Sequence, residues 1–273
     1  MIERIKYINH INEVIEFGTS GIFVNSNDLR DFSWITVSIN ERISSFKKGI
    51  TTKKIPVVIK CESVEEGISM KNRLFEVCEK DVLTATCGKL YIGDYYLRCF
   101  ITGSNKSSYN LNKSYMQASL TLTTDFPYWI KETTTMFDGA ATTTGNDMDF
   151  ESDFNYDYTP NTLNQKLVNR NFVDSNFRLV IYGTAENPEI TIGGQVYSVD
   201  VSIGKNEYLT IDSIEKTIVL TKPDGSTVNC FNYRNKDSYV FQKVPIGELD
   251  VLASSSFNFA ITLLEERGEP KWT

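Results

Sequence analysis

Between residues 178 and 229, apolar side chains fall at every second position: Ile190 and Ile192, then Tyr197, Val199 and Val201, then Leu209 and Ile211, then Ile218 and Leu220. A period of two places them on one face of a pleated strand and sends Glu189, Thr191, Ser198, Asp200, Thr210 and Asp212 to water. The breaks are turn chemistry. Asn187-Pro188, Gly193-Gly194 and Pro223-Asp224-Gly225 supply the fixed or positive φ that tight reversals need. Later, Phe257, Phe259, Ile261 and Leu263 alternate with Asn258, Ala260 and Thr262, which predicts one more core-facing strand. The pattern predicts an antiparallel β-sandwich for this half.

The first half mixes strands with one helix. Strands are predicted at 5–8, 14–17, 34–38, 55–60, 82–86, 89–92, 96–101 and 115–123. A helix is predicted over 64–79, where Ser63 and Glu66 have the spacing of a capping box. Val64, Ile68, Phe75 and Cys78 recur at helical spacing and are expected to lie across a sheet. Gly67 should weaken this helix by about 1 kcal/mol relative to alanine. A tight hairpin is predicted at 91–95 and a longer polar one at 104–113. The fold class expected is mainly β, with an α+β first domain and a β-sandwich second domain.

The stretch 138–160 differs from its surroundings. It holds six acids (Asp138, Asp147, Asp149, Glu151, Asp153, Asp157), and no Lys or Arg stands between Lys131 and Lys166. It reads as an acidic linker or exposed loop. The domain boundary is expected near 130–135, giving domains 1–133 and 134–273.

The order of motifs in the second half carries a resemblance. Val180-Ile181-Tyr182-Gly183, Asn187-Pro188, Ile190-Thr191-Ile192 and Tyr197 come first. Leu209-Thr210-Ile211-Asp212, Lys216-Thr217-Ile218 and Ile246-Gly247-Glu248 follow. Together they resemble the carboxy-terminal half of siphophage distal tail (Dit) proteins, and Phe154-Asn155-Tyr156-Asp157-Tyr158 resembles that family's inter-domain region. The resemblance implies a baseplate hub: a homo-hexameric ring at the virion tail tip of a long non-contractile tail. It implies a ring-forming first domain that docks on the tail tube protein, and a galectin-like sandwich that faces outward. The ring would be the platform for a tail-associated lysin or tail fibre protein and for receptor-binding protein. It also implies a hairpin that projects onto the adjacent protomer.

Charge narrows the partners. Residues 1–133 carry 17 Lys/Arg against 15 Asp/Glu, whereas 134–273 carry 11 against 20. A net of −9 on the second half argues against a phosphate grip there, so no specific nucleic-acid binding is expected. No apolar run approaches the roughly 18 to 20 residues that span a bilayer, so no membrane insertion is expected. Met1-Ile2-Glu3-Arg4-Ile5-Lys6 lacks the apolar segment of a secretory signal, so synthesis in a host cytoplasm is expected. Five cysteines, at 61, 78, 87, 99 and 230, contain no CxxC pair and read as buried reduced thiols.

Little of the chain points to catalysis. His10 is the sole histidine, which removes most hydrolase devices, and it falls where a turn is expected. Asp147, Asp149, Glu151 and Asp153 alternate as calcium ligands can, but an EF-hand starting there needs Gly at 152 and Glu at 158, where Ser152 and Tyr158 stand. No phosphate-cradling glycine motif follows a strand. No enzyme, cofactor or metal is expected. The competing reading is a carbohydrate-binding module that stacks sugars on Tyr156, Tyr158, Tyr233 or Tyr239.

One segment stands out as an interface. Arg42, Lys47, Lys48, Lys53 and Lys54 are basic with no acid among them, and Ile43, Phe46 and Ile50 interleave. As a plain hairpin this segment is merely solvated. As an arm, Arg42, Ile43, Phe46, Lys47, Lys48, Lys53 and Lys54 would reach an acidic neighbour in a ring.

Overall fold

A computed structural model describes residues 4–19, 21–24, 26–107, 113–138 and 165–272. Asp147, Asp149, Glu151, Asp153, Tyr156, Asp157 and Tyr158, on which the calcium reading and half of the sugar reading rest, lie outside the described residues. The chain divides into two compact units. One holds the described residues up to Lys131 together with those from Glu266 onward; Glu132–Glu265 forms the other. The last residues therefore belong to the first unit and not to the second half. The Arg30 guanidinium holds them there, donating to the Pro270 carbonyl at 2.6 Å and stacking on Trp272 at 3.7 Å.

The first unit contains β1 (Ile5–Ile8), β2 (Val14–Phe17), β3 (Ile22–Val24), β4 (Ile35–Ile39), β5 (Arg42–Lys47), β6 (Thr51–Lys60), α1 (Val64–Thr84), β7 (Gly88–Ile92), β8 (Tyr95–Ser107), β9 (Tyr115–Thr124) and the start of β10 (Trp129–Phe137). All pairings are antiparallel. β2 pairs β1, β1 pairs β7, and β7 pairs the first part of β8. The later part of β8 pairs β9, which pairs β6, which pairs β3. Tyr7, Ile22, Leu29, Ile55, Ile59, Leu90, Leu97 and Trp129 are buried between these strands and α1.

The helix departs from expectation in two ways. It continues through Thr84, so the strand expected at 82–86 does not form, and it stops where Ala85 turns left-handed at φ 53°. β-branched residues there suit a strand, but Asp81 is anchored in the core and carries the last turn with it. The stripe also differs. Gly67, Leu74, Val77, Cys78 and Asp81 face the core, while Val64 and Ile68 are exposed. Gly67 decides this: a Cβ there would stand 2.6 Å from the Cα of Ser114, so only glycine lets the helix come this close. The Ser63 cap forms as expected, its hydroxyl accepting from the Glu66 N–H at 3.1 Å.

The second unit contains β11 (Gln165–Asn169), β12 (Asn176–Tyr182), β13 (Ala185–Glu186), β14 (Glu189–Ile192), β15 (Gln195–Ser198), β16 (Ser202–Ile203), β17 (Tyr208–Asp212), β18 (Thr217–Thr221), β19 (Thr227–Asn229), β20 (Gly247–Ala253) and β21 (Phe259–Arg267). One sheet runs β19-β18-β17-β12-β21-β10 and a second runs β11-β20-β14-β15. Their inner faces share one core. Phe177, Leu179, Ile181, Leu209, Ile211, Ile218 and Ile261 come from the first sheet; Leu167, Ile190, Ile192, Tyr197 and Val251 come from the second. The alternation therefore builds a sandwich, as its period dictates.

Gly193 and Gly194, at φ 57° and 84°, make the two-residue turn between β14 and β15. Ser198, expected in water, is buried instead, and so are Ala260 and Thr262, which alternate with the core positions of β21. Ser198 is 5% exposed, Ala260 lies within the central strand β21, and Thr262 meets the Thr134 hydroxyl at 2.8 Å.

Candidate interaction surface

β4 and β5 pair only with each other. Asn40 and Glu41, at φ 50° and 62°, supply the left-handed pair that a twisted two-residue hairpin needs. Every residue of β5 is exposed and so is every residue of β4 except the half-buried Val37. This is an arm: a two-stranded ribbon without a sheet beneath it.

Its pleat is arranged with care. Ser44 is an extra residue between the pairs Val37↔Ser45 and Ser38↔Ile43, and its hydroxyl donates to the Val37 carbonyl at 3.1 Å. Without that bulge Ile43 and Phe46, three apart, would point to opposite faces. With it they share one face with Thr36 and Ser38. Ile35, Val37 and Ile39 make the other face, beside Arg42, Ser45 and Lys47. The exposed aliphatics are large: Ile39 and Ile43 are each 63% exposed.

The root is held differently. Lys48 donates to the Pro127 carbonyl at 2.8 Å, and its ammonium lies 4.9 Å from the Trp34 ring and 4.6 Å from that of Tyr128. Lys53 is buried and donates to the carbonyls of Asp28 and Asp31. Lys54 lies on β6, its N–H donating to the Asp28 carboxylate at 2.8 Å and its ammonium to the Thr121 hydroxyl. A cleft of about 230 Å³ opens at this root, lined by Asp28, Asp31, Phe32, Lys48, Thr52 and Trp129. Gly268 closes in from the returning tail, so that a Cβ there would touch the Lys48 ammonium and the Phe32 ring.

Of the seven residues predicted from sequence, the structure brings Arg42, Ile43, Phe46 and Lys47 together on the arm. It turns Lys48 and Lys53 inward and leaves Lys54 on a sheet. The run is thus not one basic patch, because a buried lysine that donates to carbonyls offers no charge to a partner. Sequence reasoning missed Ile35, Val37 and Ile39. Asn40-Glu41 between two short strands was the signal that pairs them with 42–47.

Burial holds the Lys48 amine at about 8, below the ordinary lysine value of 10.5, with the nearby Lys53 charge contributing second. The unfolded chain therefore binds the extra proton between these values, and stability should rise with pH across that window. Lys48→Met is expected to stabilise the protein at pH 7 by about 1 kcal/mol after solvent screening. The gain should shrink as pH climbs above 8 and vanish near 10.5. Urea unfolding at pH 7 and pH 10 checks this, and a gain that grows with pH would refute it.

His10 stands in the turn after β1. Its Nδ1 lies 2.5 Å from Asp81 Oδ1, and its backbone N–H donates to the same oxygen at 2.9 Å. The Tyr7 hydroxyl donates to Asp81 Oδ2. Burial, followed by this hydrogen bond, pushes the Tyr7 phenol far above its ordinary value. Tyr7 and Asp81 are both fully buried, so the three groups tie the end of α1 to the β1–β2 turn. Among the described residues no three His, Cys, Asp or Glu side chains converge as metal ligands, and no helix is long and apolar enough to cross a membrane.

Tyr233 and Tyr239 are both exposed, on the connection between β19 and β20. The Lys216 ammonium lies 5.5 Å from the centre of the Tyr239 ring, on a face that a sugar would need.

No protein-family model matches the sequence, and no curated protein is similar to it. Solved structures do match along nearly the whole chain. A chain of the phage P2 baseplate in its activated conformation with calcium superposes with a TM-score of 0.63 at 12% identity, covering 99% of this chain and 100% of that one. The same baseplate with strontium gives 0.64 at 11% identity, with 99% and 100% covered. SPP1 Dit (gp 19.1), described as a paradigm of the hub adsorption apparatus in phages that infect Gram-positive bacteria, gives 0.57 at 10% identity, covering 96% and 99%. The chain has the fold of these baseplate and Dit chains.

Proposed function

We propose that this chain is a structural subunit of a phage tail tip that closes, copy upon copy, into a homo-hexameric ring. The ring joins the tail tube protein to a tail-associated lysin or tail fibre protein and to receptor-binding protein. The first unit forms the ring and docks on the tube, and the galectin-like sandwich faces outward. Its work is done by surfaces, with no bond made or broken. The shared fold of baseplate and hub proteins supports the reading.

The arm carries it. A two-stranded ribbon is marginal in water by itself, and this one has aliphatic or aromatic side chains on both faces. Such a ribbon needs a neighbour to bury it. A contact between an arm and a different patch on the next copy is head-to-tail, and repeated head-to-tail contacts close a ring when the rotation fits.

Light scattering and negative-stain imaging of the purified chain test this. The intact protein is expected to form a hollow six-fold particle. Replacing residues 36–45 by two glycines should leave a monomer with an unchanged melting temperature. An intact chain that stays monomeric at every concentration, or an armless variant that still assembles, would overturn the reading.

A further inference from the structure

The helix α1 has a second apolar stripe, most of which its own unit leaves open; only Phe75, near its middle, packs partly against the core. Val64, Ile68, Val82 and Leu83 are exposed, Leu83 by 78%. At 100° per residue they fall within an arc of about 120° that also holds Phe75, Glu65, Glu76 and Glu79. A helix that merely roofs a sheet should be polar on this side.

The charges on α1 are sorted. Lys71 donates to the carbonyls of Lys113 and Tyr115, Arg73 to that of Val14, and Lys80 pairs with Glu13. These three cations thus serve their own unit, at the margins of the stripe. Among the described residues Glu65, Glu76 and Glu79 form no ion pair. The only cation against the stripe, among the described residues, is Lys106 of β8, 4.2 Å from the Phe75 ring centre. What faces outward is aliphatic and acidic.

One face of the arm is the complement, aliphatic and basic: Ile35, Val37 and Ile39 with Arg42 and Lys47. Lengths agree. Five residues of β4 extend about 17 Å, and the stripe from Ile68 to Leu83 runs about 22 Å. A single copy keeps the two patches apart at the start of the stripe. The arm leaves from the Thr51 end of β6, whereas α1 begins beyond the Lys60 end, about 30 Å away along the strand.

Resting on the ring reading above, we infer that the outward face of α1 is the seat for the arm of a second copy. Ile35, Val37 and Ile39 lie against Ile68, Phe75 and Leu83, and Arg42 and Lys47 lie toward Glu76 and Glu79. The pair of unlike patches is what a head-to-tail contact requires.

Charge exchange in the full-length chain tests this. Glu76→Lys with Glu79→Lys is expected to weaken self-association about a hundredfold, because like charges then face each other across the contact. Arg42→Glu with Lys47→Glu should do the same. Joining all four substitutions in one chain should restore association to within about threefold of the parent, since opposite charges then face each other again. Sedimentation equilibrium gives the association constants, and circular dichroism confirms that each variant is folded. Parent protein that assembles while the helix variant assembles equally well refutes the α1 seat and leaves the ring reading intact. A quadruple variant that fails to recover refutes the seat in the same way. Parent protein that never associates refutes both.

Discussion

Asp81→Ala is expected to cost the first unit about 4 kcal/mol and to lower its melting temperature by about 12 °C. The carboxylate is fully buried in the last turn of α1 and accepts from the Tyr7 hydroxyl and from both the ring and the backbone N–H of His10. Alanine strands those donors, and each unsatisfied buried donor costs about 1–3 kcal/mol. Asp81→Asn keeps the shape and one acceptor, so about half the loss is expected. A double-mutant cycle with Tyr7→Phe should show strong coupling, since removing both partners leaves fewer orphans than removing one. Thermal unfolding followed by circular dichroism measures each of these proteins. A change below about 1 kcal/mol for Asp81→Ala would mean that water reaches the cluster.

The second large effect has a sign that propensity gets wrong. On helix propensity alone Gly67→Ala should stabilise α1 by about 1 kcal/mol. Packing reverses this. The new Cβ would meet the Ser114 Cα at 2.6 Å and the Lys113 carbonyl oxygen at 2.7 Å, both backbone atoms that cannot swing aside. The helix has to lift from the start of β9, and a net loss of about 2–3 kcal/mol is expected. Urea unfolding decides the sign. A stabilised variant would show that a methyl group fits between the helix and Ser114.

Gly67 also explains what the sequence hid about α1. Val64, Ile68, Phe75 and Cys78 repeat at helical spacing and read as the buried stripe, but of these only Cys78 is buried, on a face it shares with Leu74 and Val77. Periodicity measures how apolar a face is and carries no information on which of two apolar faces meets the sheet. The close approach permitted at position 67 selects between them, and it depends on a backbone contact with Ser114 that no local pattern encodes.

The second unit was legible for the opposite reason. There each strand has one apolar face, and Gly193-Gly194 fixes a turn that leaves a single register. Ala260 and Thr262 escaped because β21 lies between β12 and β10, where small side chains are buried on both sides, and Ser198 because the chain near Asn235, whose N–H donates to the Ser198 carbonyl, covers the end of β15. The placement of the residues proposed for an interface was half legible. Arg42, Ile43, Phe46 and Lys47 stand on the arm as read. Lys48 and Lys53 look identical to them in sequence, yet carbonyls supplied from far along the chain, or from 22 and 25 residues away, draw them inward.

The return of the chain to the first unit sets an order on synthesis. A ribosome delivers all of Glu132–Glu265 before Glu269, Pro270 and Trp272 emerge, and Arg30 must wait for them. The sandwich is complete in the nascent polypeptide while the base of the hairpin still lacks its closing piece.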